Sequence, residues 1–128
     1  MLSVCHPRAT VLIVEDELAL RELLYEYLTE KGFNVIEAAN GEEGYRLFEN
    51  HKEITVVLSD LGLPKLAGDK LIAMIKSERP EVKCILATGY LTPSADDTLA
   101  EVDVETIMKP YNLSTIYSLI TGESPTRT

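Results

Sequence analysis

Residues able to do chemistry stand at the ends of four short β-rich runs. Glu15 and Asp16 follow TVLIV at 10–14, Asp60 follows ITVVLS at 54–59, Thr88 follows VKCILA at 82–87, and Lys109 follows VETIM at 104–108. If these ends meet, three carboxylates share one site, where unpaired they repel and raise one another's pKa values. A hard divalent cation relieves the repulsion, and a shallow all-oxygen site with room for water suits magnesium. A carboxylate beside magnesium, a lysine and a hydroxyl is a phosphoryl acceptor. In phosphoryl transfer the protein mainly positions groups and neutralises charge on the phosphoryl oxygens. Aspartate as the nucleophile then yields an acyl phosphate.

Short β-rich runs and helical patterns alternate along the chain and could bring those ends together. After the first run, Leu20, Leu23, Leu24, Tyr27 and Leu28 recur at helical spacing, with Gly32 as the C-terminal stop. FNVIEA at 33–38 reads as a second strand, and Asn40 with Glu43 three residues on forms a capping-box start for a helix to about Asn50. GDKLIAMIKSE at 68–78 gives a third helix with Pro80 beyond its end. Thr92 and Pro93 open a short fourth helix, and Asn112 caps a last one to about Ile120. Five strands alternating with five helices predict an α/β, flavodoxin-like (βα)5 doubly wound sandwich with a parallel sheet in the order 2-1-3-4-5. In such sheets ligands bind at the carboxyl ends of the strands, beside the point where strand order reverses. The residues named above stand there.

The 128 residues, 45% of them hydrophobic, suit one domain with a real core. We expect a lead-in at 1–8, a folded domain at 9–121 and a disordered tail at 122–128. A net charge of −9 argues against nucleic acid as a direct partner, since phosphate backbones are bound through a surplus of Lys and Arg. No run reaches the roughly 18 apolar residues of a membrane span, and MLSVCHPRAT lacks the apolar core of a signal peptide, so a cytoplasmic location is expected. Cys5 and Cys84 have no metal or disulfide spacing, and Cys84 reads as a small buried hydrophobe. His51, at a helix end, has a structural reading, as has His6. Asp96, Asp97, Glu101, Asp103 and Glu105 read as a solvated face.

Over about residues 9–121 the chain resembles a response-regulator receiver domain of two-component signalling. The resemblance rests on the acidic pair of VEDE, the acceptor segment LSDLGLP, the threonine of ILATGY and the lysine-proline of MKP, in the family's order and approximate spacing. It implies that Asp60 takes phosphate from a phosphohistidine on a histidine kinase or histidine phosphotransfer protein and later loses it by hydrolysis. Asp16 and Asp60 would ligate Mg2+ directly, Glu15 would act through a water, and the backbone carbonyl of Gly62 would supply another oxygen. Thr88 would move to bond the phosphoryl group, and Lys109 would pair with it. Such a protein is a switch, not a metabolic enzyme. A homodimer or an output partner would use the fourth helix, fifth strand and fifth helix. DLGLPK and ATGY resemble receivers attached to the C-terminus of hybrid sensor kinases.

Three features depart from the family pattern. The acidic pair is Glu-Asp where Asp-Asp is commoner. Thr106 replaces the aromatic that usually precedes the lysine by three residues, and AEVDVE lacks a glycine often found before the fifth strand. Tyr90 could shield an acyl phosphate or contact a partner. The alternative is a degenerate pseudo-receiver that binds partners without phosphorylation; the acidic set argues against it and Thr106 for it. An aspartate-based phosphatase would need a second aspartate at Gly62. A flavin domain would need a hydroxyl- and glycine-rich phosphate loop where EDELAL stands, and those carboxylates would repel a phosphate.

Overall fold

The structure is a computed structural model that describes residues 9–90 and 92–122. The expected lead-in, with Cys5 and His6, and the expected tail beyond Gly122 lie outside the described residues. Strands β1 (Thr10–Val14), β2 (Asn34–Ala38), β3 (Ile54–Asp60), β4 (Lys83–Thr88) and β5 (Glu105–Met108) alternate with helices α1 (Leu18–Glu30), α2 (Gly41–Asn50), α3 (Gly68–Glu78), α4 (Pro93–Thr98) and α5 (Leu113–Thr121). The strands pair in parallel in the order β2-β1-β3-β4-β5, as expected.

The unbroken apolar runs follow from a sheet covered on both faces. Val11, Ile13, Val56, Leu58, Ile85 and Ala87 pack with Leu24 and Leu28 of α1 and Ile116 of α5. Their neighbours Leu12, Val14, Val57, Cys84 and Leu86 pack with Phe48 of α2 and Leu71, Ile72 and Ile75 of α3. Each fully buried large side chain contributes about 1.5–3 kcal/mol, so the two layers hold the strand ends firmly. Burial also pushes the Cys84 thiol up to about 12, which keeps it inert. Among the described residues no helix is long and apolar enough to cross a membrane.

Local signals set the helix ends. Gly32, at φ 96°, takes the left-handed turn after α1; its N–H donates to the Thr29 carbonyl and that of Phe33 to the Leu28 carbonyl. The Asn40 side chain accepts from the Glu43 N–H at 2.8 Å, while the Glu43 carboxylate reaches back to the N–H of Ala39 at 2.7 Å. Thr92 accepts from the Ala95 N–H at 3.0 Å. Asn112 departs from expectation. It precedes α5, but its side chain makes no capping bond. The position is exposed, so water can serve the free N–H groups instead. Asp60 and Thr88, expected just beyond their strands, are the last residues of β3 and β4. The Leu61 N–H still reaches the Ala87 carbonyl at 3.0 Å, so pairing runs past the apolar stretch. The five acidic residues from Asp96 to Glu105 are exposed.

Candidate functional site

The strand registers bring the expected residues to one end of the sheet. Val14 of β1 stands opposite Ser59, so Glu15 and Asp16 leave β1 beside Asp60. Asp60 opposes Ala87, and Thr88 is next along β4. Thr88 in turn pairs with Met108, and the Lys109 N–H donates to the Thr88 carbonyl at 2.9 Å.

Glu15 is drawn in further than a loop acid usually is. Its N–H donates to the Ala38 carbonyl at 3.0 Å, continuing β1 against β2, and the residue is 3% exposed. Its carboxylate accepts from the Glu17 N–H at 3.0 Å. Asp16 is exposed and Asp60 half-buried. One carboxylate oxygen from each of Glu15, Asp16 and Asp60 lies within 4.8 Å of the other two. The Lys109 ammonium joins them, 3.0 Å from Asp60 Oδ1 and 3.5 Å from Glu15 Oε1.

Three carboxylates therefore share one ammonium, and the electrostatics show the deficit. Burial holds the Glu15 carboxyl above the usual range, helped by the charges of Asp60 and Asp16 and opposed by the Glu17 N–H and Lys109. Burial alone would pull the Lys109 ammonium down, but its bonds to Asp60 and Glu15 outweigh that and hold it up. A pocket with surplus negative charge and only hard oxygen donors at its carboxylate face fits a divalent cation of the magnesium class.

This imbalance makes a prediction for the metal-free protein. A carboxyl whose pKa rises on folding stabilises the fold fully below its unfolded value near 4.5, and that contribution is lost as pH rises through the folded value. Glu15→Gln removes the loss while leaving an oxygen for the Glu17 N–H. Its metal-free melting temperature at neutral pH is expected to exceed the parent's, with a smaller fall on going up from acid. A lower midpoint would show that pairing with Lys109 outweighs burial.

The family model for the response regulator receiver domain matches residues 11–121. The chain belongs to this family. Over 113 residues it is 38% identical to a cyclic di-GMP phosphodiesterase of Thermotoga maritima, covering 88% of this chain and 30% of that protein. Over 114 residues it is 32% identical to the sensor kinase CckA of Brucella abortus, covering 88% of this chain and 12% of that one. It thus spans under a third of the length of either relative. A CheY-like receiver domain protein of Methanospirillum hungatei superposes with a TM-score of 0.81 at 30% identity, over 89% of this chain and 91% of the other.

The remaining residues of the receiver site are placed less uniformly. Gly62 is exposed in the loop two residues beyond Asp60, with open space where a side chain would stand. Thr88 is buried at the site, but its hydroxyl is turned to the following loop. Oγ1 donates to the Tyr90 carbonyl at 2.8 Å and accepts from the Tyr90 N–H at 3.0 Å. The Tyr90 residue is 69% exposed. Thr106 is exposed on β5. The Lys109–Pro110 peptide is cis.

Two residues at this receiver site escaped sequence reasoning. Arg21 Nη1 donates to the Glu15 carbonyl at 2.7 Å, and its Nε lies 3.4 Å from Glu37 Oε1, so α1 ties the acidic loop to β2. Tyr111 lines a small notch with Glu17, Leu20, Lys109 and Pro110, and burial followed by the charges of Glu15 and Asp60 pushes its phenol up. An arginine one turn into a helix carries no motif. The aromatic directly after lysine-proline was the available signal for Tyr111.

Proposed function

We propose that this receiver domain is a working phosphoacceptor, in which Asp60 takes a phosphoryl group from a phosphohistidine on a histidine kinase or phosphotransfer protein. The observation that carries this reading is the Lys109 ammonium held between Asp60 and Glu15 in a three-carboxylate pocket. Asp16 and Asp60 would hold magnesium directly, with Glu15 acting through a water and Gly62 offering its carbonyl. When bound, the ion would supply positive charge to the phosphoryl oxygens.

The residues of the chain divide the remaining work. An Asp60 carboxylate oxygen gives an electron pair to phosphorus as the P–N bond breaks. That bond's pair returns to the imidazole, which takes a proton from solvent, and an acyl phosphate remains. Lys109 orients Asp60 before transfer and neutralises charge afterwards. Thr88 reaches the phosphoryl group by exchanging its bonds to Tyr90 for a new one. The chemistry is confined to the domain's own phosphorylation and hydrolysis, and the product is a change in partner contacts. Likeness to CckA supports attachment to a sensor kinase as one setting for the domain.

The deciding experiment is intact mass after incubation with acetyl phosphate, with and without magnesium. A magnesium-dependent gain of one phosphoryl group is expected. No gain, with beryllofluoride also failing to bind, would favour the pseudo-receiver, for which exposed Thr106 is the supporting observation. Thr88→Ala is expected to remain an acceptor but to lose the phosphorylation-dependent change in the Tyr90 amide resonance. An undiminished change would remove Thr88 from the switch.

A further inference from the structure

The start of α3 lies directly against the main chain of Asp60. A Cβ on Gly68 would stand 2.0 Å from the Asp60 carbonyl oxygen, 2.9 Å from its carbon and 3.0 Å from the Leu61 Cα, whereas real Cβ atoms essentially never come closer than 3.0 Å. Ala67, the residue before the helix, makes no side-chain cap. The Gly68 N–H instead donates to the Leu61 carbonyl at 2.9 Å, so the first N–H of α3 is satisfied by the acceptor loop itself. The same Asp60 carbonyl accepts from Ser59 Oγ at 2.9 Å, and Leu61 is tied to β4 through the Ala87 carbonyl. These atoms leave the Asp60 peptide little room to shift.

We propose that Gly68 is a positioning residue for acceptance at Asp60, because its missing side chain lets α3 clamp the acceptor's main chain in the orientation that presents the carboxylate to Lys109. The inference rests on the proposed acceptance reaction. Any side chain at 68 must push the Asp60 carbonyl away by about 1 Å or more to reach a permitted contact. Carboxylate and carbonyl share one Cα, so the 3.0 Å contact with Lys109 and the spacing to Glu15 and Asp16 move with it. Misplacement of a reacting group by that amount is worth about 100-fold in rate.

The test compares Gly68→Ala, Ser59→Ala and Ile75→Ala with the parent. Ile75 is a fully buried α3 residue outside the site, and its truncation reports loss of stability alone. Three quantities are read: urea unfolding midpoint, acceptance rate from acetyl phosphate, and magnesium binding by calorimetry. Gly68→Ala is expected to accept about 100-fold more slowly and to bind magnesium more weakly. Ile75→Ala loses stability but keeps both properties while folded. Ser59→Ala, which frees the same carbonyl from its hydroxyl bond, should slow acceptance to a smaller degree and decides the matter if Gly68→Ala does not fold. Parental rate and magnesium affinity in Gly68→Ala overturn the proposal, as does a parental rate in Ser59→Ala when Gly68→Ala is unfolded. A parent that accepts nothing but binds magnesium refutes the acceptance reaction, and calorimetry then decides the glycine. A parent that does neither overturns both.

Discussion

Asp60→Asn is expected to fold normally and to take up no phosphoryl group from acetyl phosphate or from a phosphohistidine donor. The amide is nearly isosteric with the carboxylate, and at the end of β3 it replaces a charge held among two other carboxylates. Relief of that repulsion compensates for loss of the 3.0 Å contact with Lys109, so unfolding should change little. The chemistry changes completely, because a neutral amide oxygen cannot form an acyl phosphate. The neighbours do not replace it. The Glu15 carboxylate is buried and engaged by the Glu17 N–H, and Asp16 lies exposed, without a lysine ion pair among the described residues. Intact mass with peptide mapping checks the outcome. A gain of one phosphoryl group that survives in Asp60→Asn, on Glu15 or Asp16, would overturn the assignment of the acceptor.

That acceptor is legible in the sequence because the central strands β1, β3 and β4 are mostly apolar runs with polar residues at their carboxyl ends. Strand order follows from the alternation of strands and helices, and the switch-point rule then converts five scattered residues into one site. Gly32 and the pairs Asn40–Glu43 and Thr92–Pro93 act as local signals and hold in the fold. What the sequence hides are features that only the folded geometry decides. Asn112 has the composition of a cap, yet an exposed position leaves its side chain unused. The Thr88 hydroxyl follows the local turn to Tyr90, whose pull no strand-end pattern records. Gly68 reads as an ordinary first helical residue until Asp60 is found 2.0 Å from where its Cβ would be.

Arg79 is the largest such omission, and it carries the second prediction. In the sequence it is a charged residue at the end of α3, the usual mark of a solvated helix terminus. In the fold it closes α2 instead. The residue after α2, His51, is extended rather than left-handed, so the helix lacks a glycine-type stop for its last carbonyls. Arg79 donates to the Phe48 carbonyl at 2.7 Å and the Lys52 carbonyl at 2.8 Å, with longer bonds of 3.4 Å to His51 and Ile54, and its guanidinium lies 3.8 Å over the Phe48 ring. Two strong charge-assisted bonds at about 1.5 kcal/mol each, and a cation–π contact of about 1 kcal/mol, suggest that Arg79→Met costs about 3–4 kcal/mol of unfolding free energy. Arg79→Lys should recover only part of this, since one ammonium cannot span four carbonyls as the planar guanidinium fork does. Urea unfolding of the three proteins measures the cost, and a loss below about 1 kcal/mol for Arg79→Met would reduce the cluster to surface decoration. Ile54 begins β3 and Asp60 ends it, which separates the clamp from the acceptor by about 20 Å of strand. The folded fraction of Arg79→Met should therefore accept phosphate at the parental rate, the converse of Gly68→Ala.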